Sequence, residues 1–133
     1  MTENKKTILL VDDEPDLLES LAIRMKASGY NVLMAIDGLD ALKKARTLNP
    51  DMIILDLMLP KMDGYKVARL LKFDGRYSHI PILILSARGQ DLDKDMAKNA
   101  GADDYMVKPF ESSDLLSRTE RLLAKNIGGS KLH

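Results

Sequence analysis

The chain has 133 residues, which suffices for one domain with a sizeable core and leaves no room for a second. Its 20 basic and 20 acidic residues cancel, so no overall charge draws it to nucleic acid or to an anionic membrane. The absence of cysteine excludes disulfides and thiolate metal sites, leaves oxygen ligands for a bound ion and favours a cytoplasmic location. The apolar runs are too short to cross a membrane, and the polar start lacks a signal-peptide core.

Stretches rich in Ile, Leu and Val alternate with stretches of helical period along the chain. The sequence predicts strands near residues 7–11, 31–35, 51–56, 80–85 and 103–107, with a helix after each of them. Segments such as Ile8–Val11 and Ile82–Leu85 are apolar at every position, which is typical of strands covered by helices on both faces of a parallel sheet. We therefore expect five βα units around a central sheet.

The first helix is predicted from the residues that mark its ends. Pro15 suits a first helical turn after an acidic cap from Asp13 or Glu14, and Gly29 suits the end of the helix. Ile23 points away from the apolar face and is expected to be ordinary surface. The apolar face comprises Leu17, Leu18, Leu21, Ala22 and Met25.

The last two predicted helices differ in how firmly they are held. Helix four, about Asp91–Ala100, offers the core only Leu92, Met96 and alanines, so we expect it to be the least firmly held element. Residues 126–133 have no apolar pattern and are expected to be a disordered tail, a linker stub or a cloning scar. Helix five has an apolar face of Leu115, Leu116, Leu122 and Leu123 opposite a solvated face of Arg118, Arg121 and Lys125.

Four of the predicted strands lead into polar residues that can do chemistry. These residues are Asp12 with Asp13, Asp56, Ser86 and Lys108. Ligands of open parallel sheets bind beyond the carboxyl ends of the strands, so these side chains are expected to converge at one edge. Each residue alone is equally well explained as a helix cap, a turn residue or a solvated lysine. Their joint occurrence favours a functional site.

The chemistry of this set suits a divalent metal and a phosphoryl group. Clustered carboxylates repel one another unless a cation compensates, and Mg²⁺ takes a few carboxylates, waters and a phosphate oxygen. A carboxylate can then act as a nucleophile and become an aspartyl phosphate, while the metal and Lys108 neutralise charge. Asp56 is the best candidate, because it follows the apolar run Met52–Leu55 at the centre of the sheet. Asp12 and Asp13 form the acidic pair expected of metal ligands.

The motifs around these residues resemble the receiver domain of two-component response regulators, from about residue 6 to 125. They are Leu10–Glu14, Asp51–Gly64, Leu85–Arg88 and Tyr105–Phe110. The resemblance implies an α/β fold of the doubly wound, flavodoxin-like (βα)5 type, with a parallel five-stranded sheet in the order 2-1-3-4-5 that the chemotaxis receiver also has.

The resemblance also implies how the metal and the phosphoryl group would be held. Asp56 would accept the phosphoryl group from a phosphohistidine on a sensor histidine kinase or a histidine phosphotransfer protein. Asp12 and Asp13 would hold Mg²⁺ together with Asp56 and the backbone carbonyl of Met58.

The remaining residues of the motifs receive their roles from the same resemblance. Ser86 would hydrogen-bond the phosphoryl group, and Lys108 would pair with it. Tyr105 would be the aromatic switch. Met58 and Arg88 stand at the variable positions where the family tunes the lifetime of the phosphoryl group.

Docking of the phosphodonor is expected beside the acceptor. A phosphohistidine has to approach Asp56 in line, which favours contact through helix one and the loop after strand five. Leu17, Pro109 and Phe110 would supply small apolar anchors there. The Lys108–Pro109 bond resembles the cis peptide of the family.

We expect phosphorylation to switch the surface formed by helix four, strand five and helix five. That surface would control an output partner or domain, or a phosphorylation-dependent homodimer. A phosphorelay intermediate without its own output is the alternative. We expect neither direct nucleic-acid binding, nor membrane binding, nor turnover of a separate substrate.

Other readings of the sequence are less favoured. A haloacid-dehalogenase-type phosphatase needs a second acid two residues after the nucleophile, where this chain has Met58. A flavodoxin-like electron carrier is disfavoured because Asp12–Asp16 would repel a flavin phosphate. A scaffold with a vestigial site would be separated from a working receiver by titrating Mg²⁺ with and without a phosphodonor. His79 in a loop and the terminal His133 do not look like phosphodonors.

Overall fold

The computed structural model describes residues 5–87 and 91–129. Strands and helices alternate along these residues, which confirms the predicted succession of βα units. The elements are β1 Thr7–Val11, α1 Pro15–Ala27, β2 Asn31–Ala35, α2 Gly38–Leu48, β3 Met52–Asp56, α3 Gly64–Lys72, β4 Ile82–Ser86, α4 Asp91–Asn99, β5 Asp104–Val107 and α5 Ser112–Gly129. Among the residues described, no helix has the length and apolar character needed to cross a membrane.

The strands form one parallel sheet in the order β2-β1-β3-β4-β5, so the predicted fold class and strand order are confirmed. Val11 at the end of β1 pairs with Leu55 in β3, and Asp56 pairs with Leu85 in β4. The register therefore brings the carboxyl ends of β1, β3 and β4 to one edge of the sheet. The residues that follow these strands meet there, as the sequence predicts.

The sheet separates two hydrophobic clusters, because successive side chains of a strand point to opposite faces. Leu9 and Val11 of β1 pack on the side covered by α2, α3 and α4. Ile8 and Leu10 of the same strand pack on the side covered by α1 and α5. Both sets are buried, which explains why the strands are apolar at every position.

The start of α1 departs from the prediction of an acidic cap. Glu14 occupies the N-cap position and Pro15 the first turn, but the Glu14 side chain makes no capping hydrogen bond. Its own amide donates to Asp12 Oδ1 at 2.9 Å, and its carboxylate lies 3.6 Å from Lys108 Nζ. The Glu14 side chain is thus directed toward the lysine rather than toward the helix. Gly29, at φ +97°, follows the end of the helix as predicted.

The predicted faces of α1 and α4 are found in part. Ile23 is 62 % exposed, and Leu17 is half-buried rather than fully in the core. The described side chains of α4 contribute only the small Ala97 to the core, so the weak anchoring of this helix stays a prediction. The Leu92 side chain lies outside the described residues. The fully buried residues of α1 are Leu18, Leu21, Ala22 and Met25.

Two predictions for α5 need correction. The helix continues to Gly129 and so enters the segment 126–133 that was predicted to be a tail, because extending an existing helix costs far less than starting one. Residues 130–133 and the side chain of Lys125 lie outside the part of the chain that the structure describes. Arg118 is not simply solvated, because its guanidinium pairs with Asp104 at 3.0 Å and donates to the Tyr105 carbonyl at 3.1 Å.

Candidate functional site

Three carboxylates meet at the carboxyl edge of the sheet. One oxygen from each of Asp12, Asp13 and Asp56 lies within 4.8 Å of the other two. Asp12 and Asp56 are buried, because Asp12 follows the four buried residues that end β1 and Asp56 ends the fully buried strand β3. Asp13 is exposed, which leaves the cluster open to solvent on one side. This is the convergence that the sequence predicts.

One ammonium group faces this acidic cluster. Lys108 Nζ lies 2.9 Å from Asp12 Oδ2 and 3.5 Å from Asp56 Oδ2. The sequence predicts a phosphoryl group as the partner of Lys108; in the structure its shortest contact is with Asp12. Glu14, at 3.6 Å from Nζ, is a further contact that the sequence analysis did not identify.

The surroundings of Asp56 raise the pKa of its carboxyl group to about 6. Burial is the main cause, the positive charge of Lys108 opposes it, and the negative charges of Asp12 and Asp13 add to it. The pKa of Lys108 is also raised, because burial, which lowers it, is outweighed by the hydrogen bond to Asp12 and by the neighbouring carboxylates. The cluster therefore carries more negative charge than one lysine compensates.

The donor set fits a hard divalent cation. Carboxylate oxygens are the ligands that Mg²⁺ prefers, and an added cation would offset both the burial and the repulsion that disfavour the ionised form of Asp56. The backbone of Met58 lies beside the cluster, since its amide donates a hydrogen bond to the Asp56 carboxylate. Its side chain is 58 % exposed. The residues present could thus hold Mg²⁺ through Asp12, Asp13, Asp56 and the Met58 carbonyl.

Gly64 allows the chain after Asp56 to fold back closely. A Cβ atom at residue 64 would lie 2.2 Å from the Asp56 carbonyl oxygen, so no other residue fits there without moving the backbone. The Gly64 amide donates to the Leu57 carbonyl at 2.8 Å and closes the loop. Gly64 ends one of the receiver-like motifs of the sequence, but its close approach to Asp56 depends on tertiary geometry.

Ser86 and Tyr105, the two predicted switch residues, lie in the neighbouring strands β4 and β5. Ser86 ends β4 and is buried, and its carbonyl accepts a hydrogen bond from the Lys108 amide at 2.7 Å. Tyr105 is half-buried in β5, where it pairs with Ile84. Arg88 lies outside the described residues. The structure thus joins the strand that carries Ser86 directly to the residue that carries the ammonium group.

A groove beside the cluster contains the predicted docking residues. It has a volume of about 550 Å³ and lies between α1 and the chain that follows β5. The groove brings Leu17 next to Pro109 and Phe110, and Lys108 forms part of the same wall. The Lys108–Pro109 peptide bond is cis, as the resemblance implies.

Comparison with known protein families and relatives gives a consistent result. The response regulator receiver domain model matches residues 8–120. The chain is 43 % identical over 118 residues to the DNA-binding dual master transcriptional regulator RpaA of Synechocystis, covering 89 % of this chain and 49 % of that protein. It is 44 % identical over 123 residues to the alkaline phosphatase synthesis transcriptional regulatory protein PhoP of Bacillus subtilis, covering 92 % and 50 %. The chain spans about half the length of these relatives.

Solved structures share the fold over nearly all of their length. A putative response regulator from Chloroflexus aurantiacus matches with a TM-score of 0.87 and 36 % identity, covering 91 % of this chain and 99 % of that one. The chemotaxis response regulator CheY4 of Vibrio cholerae matches with a TM-score of 0.84 and 31 % identity, covering 90 % and 99 %. With the family model matched over most of the chain and an acidic cluster at the expected edge of the sheet, the chain belongs to the response regulator receiver domain family.

Proposed function

We propose that this receiver accepts a phosphoryl group on Asp56 from a phosphohistidine, with the help of Mg²⁺. The convergence of Asp12, Asp13 and Asp56 with Lys108 at one edge of the sheet is the observation that carries this proposal. Asp56 is the only one of the three carboxylates at the end of the central strand β3. It borders both the metal-binding oxygens and the ammonium group.

In the proposed reaction, an oxygen of the Asp56 carboxylate attacks the phosphorus atom of the phosphohistidine. The phosphorus–nitrogen bond breaks, the imidazole leaves, and an aspartyl phosphate forms. Mg²⁺, held by Asp12, Asp13, Asp56 and the Met58 carbonyl, would neutralise charge on the transferred oxygens. Lys108 Nζ, 3.5 Å from Asp56 Oδ2, is close enough to turn from Asp12 to a phosphoryl oxygen.

Turnover of a separate substrate is not part of this proposal. A phosphatase of the haloacid-dehalogenase type would need an acid where Met58 stands, and the exposed thioether cannot donate a proton to a leaving group. The chain would instead phosphorylate and dephosphorylate itself, with Met58 and Arg88 tuning the lifetime of the phosphoryl group. The cytoplasmic location expected from the cysteine-free sequence remains part of the proposal.

The groove between α1 and the chain after β5 is the proposed docking surface for a sensor histidine kinase or a histidine phosphotransfer protein. Its apolar walls include Leu17 and Phe110, and it borders Lys108, so a helix that carries the phosphohistidine could pack there. Leu17→Ala should slow transfer from the cognate kinase and leave phosphorylation by a small donor unchanged. Equal slowing with both donors would contradict the docking role.

Phosphorylation is proposed to shift the surface of α4, β5 and α5. New phosphoryl oxygens would draw in the Ser86 hydroxyl and the Ala87 amide, and Tyr105 and α4 would move in response. Hydrogen bonds to a charged group contribute about 1.5–3 kcal/mol each, so one or two would change the ratio of two conformations by tens- to thousands-fold. Amide NMR with beryllofluoride and Mg²⁺ tests this, because changes confined to the neighbours of Asp56 would contradict a switch. Ser86→Ala should blunt the shift.

The output of the switch is proposed from the named relatives. RpaA and the MtrA proteins are named as DNA-binding, and the chain matches about half of their length. We propose that the receiver acts on an output partner or domain, or through a phosphorylation-dependent homodimer, without itself binding nucleic acid. A phosphorelay intermediate is the second candidate, favoured by the match to the signal receiver domain of a histidine kinase from Syntrophus aciditrophicus at 32 % identity.

The central experiment is intact-mass spectrometry after incubation with a small phosphodonor and Mg²⁺. One added phosphoryl group is expected on the wild-type protein, and none on Asp56→Asn or after Mg²⁺ is chelated. Asp63→Asn is the matched control, since Asp63 is an exposed aspartate that caps α3 and asparagine caps a helix equally well. Phosphorylation of Asp56→Asn at the wild-type level would contradict the assignment.

A further inference from the structure

The loop between β3 and α3, residues 57–63, rests against the first residue of α2. The Gly38 amide donates a hydrogen bond to the Pro60 carbonyl at 3.2 Å. A Cβ atom built at residue 38 would lie 1.7 Å from the Met62 carbonyl oxygen and 2.6 Å from its carbonyl carbon. These neighbours are backbone atoms, which cannot rotate away as the end of a side chain can. Any side chain at position 38 therefore has to displace the loop or the helix.

Backbone hydrogen bonds hold the loop at both of its ends. At its start, the Leu57 amide donates to the Leu85 carbonyl of β4 at 2.9 Å. At its end, the Gly64 amide donates back to the Leu57 carbonyl at 2.8 Å. A displacement of Met62 should therefore move the residues between these two hydrogen bonds, and Met58 is among them.

Met58 links the loop to the acidic cluster. Its amide donates a hydrogen bond to the Asp56 carboxylate, and its carbonyl is the proposed backbone ligand of the metal. Metal geometry is demanding for Mg²⁺, which requires near-ideal octahedral coordination. A displacement of the Met58 peptide would thus disturb both the orientation of the nucleophile and the coordination of the ion.

We propose that Gly38 is a positioning residue for the metal centre. Because Gly38 has no side chain, the loop can pack against the start of α2, and this packing fixes the position of Met58 relative to Asp56. This inference rests on the proposed function and adds to it a residue outside the acidic cluster. Asp37 and Lys61 support the same contact, since their charged groups lie 3.7 Å apart across it. Residues that orient the ligands of a metal commonly change its affinity by about 10–100-fold when they are replaced.

The test is the Mg²⁺ dissociation constant of Gly38→Ala, measured by isothermal titration calorimetry. We expect binding about tenfold weaker than in the wild-type protein. Amide NMR without Mg²⁺ should show shifts in residues 57–63 that a general loss of stability would not confine to the loop. Gly75→Ala is the matched control, because a Cβ at residue 75 meets nothing within 4 Å, and its dissociation constant should equal that of the wild type.

A second variant covers the case in which Gly38→Ala does not fold. Lys61 has φ +68°, so Lys61→Gly gives the loop freedom to move aside, and Gly38→Ala/Lys61→Gly should fold and still bind Mg²⁺ weakly. Lys61→Gly alone keeps Gly38 and should weaken Mg²⁺ binding less than Gly38→Ala does. If neither variant with Ala at position 38 folds, the contact serves the fold and the inference is overturned.

The outcomes separate this inference from the proposed function. A wild-type protein that binds no Mg²⁺ would overturn the metal site itself and with it the role of Gly38. Wild-type and Gly38→Ala proteins with equal dissociation constants would overturn the positioning role alone.

Discussion

Aspartates lie at both edges of the sheet, but the hydrogen-bond donors and charges around them differ between the two edges. At the amino edge, Asp51 and Asp103 each have donors of their own. Asp51 Oδ2 accepts the Thr7 amide at 2.7 Å, and Asp103 Oδ2 accepts the Ile82 amide at 2.8 Å and Lys72 Nζ at 2.9 Å. These aspartates tie neighbouring strands and helices together, and the negative charge of Asp103 is matched by Lys72.

At the carboxyl edge, several carboxylates share one ammonium group. Lys108 contacts Asp12, Asp56 and Glu14, and Asp13 belongs to the same cluster. Burial raises the pKa of Asp56 to about 6; the charges of Asp12 and Asp13 add to this rise, and the charge of Lys108 opposes it. Residue type therefore does not decide how an aspartate is held. At the amino edge Asp103 has a lysine of its own, whereas at the carboxyl edge Asp12, Asp56 and Glu14 share one lysine.

The largest change in the free energy of unfolding is expected from a substitution at the amino edge. Lys72 Nζ also donates to the carbonyls of Ser78 and Ile80, and its side chain is only 10 % exposed. Lys72→Met leaves these acceptors and Asp103 without their donor, so the free energy of unfolding should fall by about 3 kcal/mol. Urea denaturation measures this change.

The Mg²⁺ dissociation constant of Lys72→Met should be unchanged, because the lysine lies at the other edge. Lys66→Met, at an exposed lysine of the same helix, is the control and should change neither quantity. Weakened Mg²⁺ binding by Lys72→Met would break the separation between the two edges.

The second prediction concerns stability at the carboxyl edge and has the opposite sign. Because the pKa of Asp56 is raised, its ionised form is disfavoured in the folded protein, and Asp56→Asn should stabilise the Mg²⁺-free protein at pH 7. We expect an increase of about 1–2 kcal/mol in the free energy of unfolding, since solvent at the open edge screens part of the roughly 1.4 kcal/mol per pKa unit. Asp51→Asn, the matched change at the amino edge, should give no stabilisation.

The pH dependence checks the sign of this prediction. The folded state binds the Asp56 proton more tightly than the unfolded state does, so the wild-type protein gains stability as the pH falls through about 6 toward the ordinary value of 3.8. The gain in the free energy of unfolding of Asp56→Asn over the wild type should therefore be largest above pH 6 and vanish below about pH 4. A difference that grows on acidification would contradict it.

The smallest change in the free energy of unfolding is expected where α5 contacts the amino end of β5. Arg118 pairs with Asp104 at 3.0 Å, but its side chain is 29 % exposed. Arg118→Met should lower the free energy of unfolding by about 1 kcal/mol and leave phosphorylation by a small donor unchanged. Arg121→Met is the control, because that side chain is 65 % exposed and lies 3.6 Å from Asp104, so its loss should have no measurable effect.

The sequence alone was sufficient to predict the sheet and the edge of the sheet at which the site residues meet. Runs that are apolar at every position predict a sheet covered on both faces, and a parallel sheet brings the ends of its strands together. Asp12, Asp56 and Lys108 could therefore be assigned to one edge before the structure was known. Their chemical roles remain proposals, since they depend on a phosphoryl group and a metal.

The contacts that decide the details could not be predicted in this way. The preference of Lys108 for Asp12 depends on side-chain geometry at the end of two strands, and the pairing of Arg118 with Asp104 depends on how α5 lies over β5. The need for glycine at positions 38 and 64 arises from backbone atoms far away in the chain or across a turn. Local patterns carry no information about such distances.

The division of the interior by the sheet has a consequence for how the sequence can vary. Leu9 and Leu10 are neighbours in the chain, but the first packs with α2 and α3 and the second with α1 and α5. Substitutions at alternate positions of one strand should therefore be compensated by different helices and should combine additively across the sheet. One half of the molecule could then be redesigned, or exchanged with that of a relative, while the packing of the other half is kept.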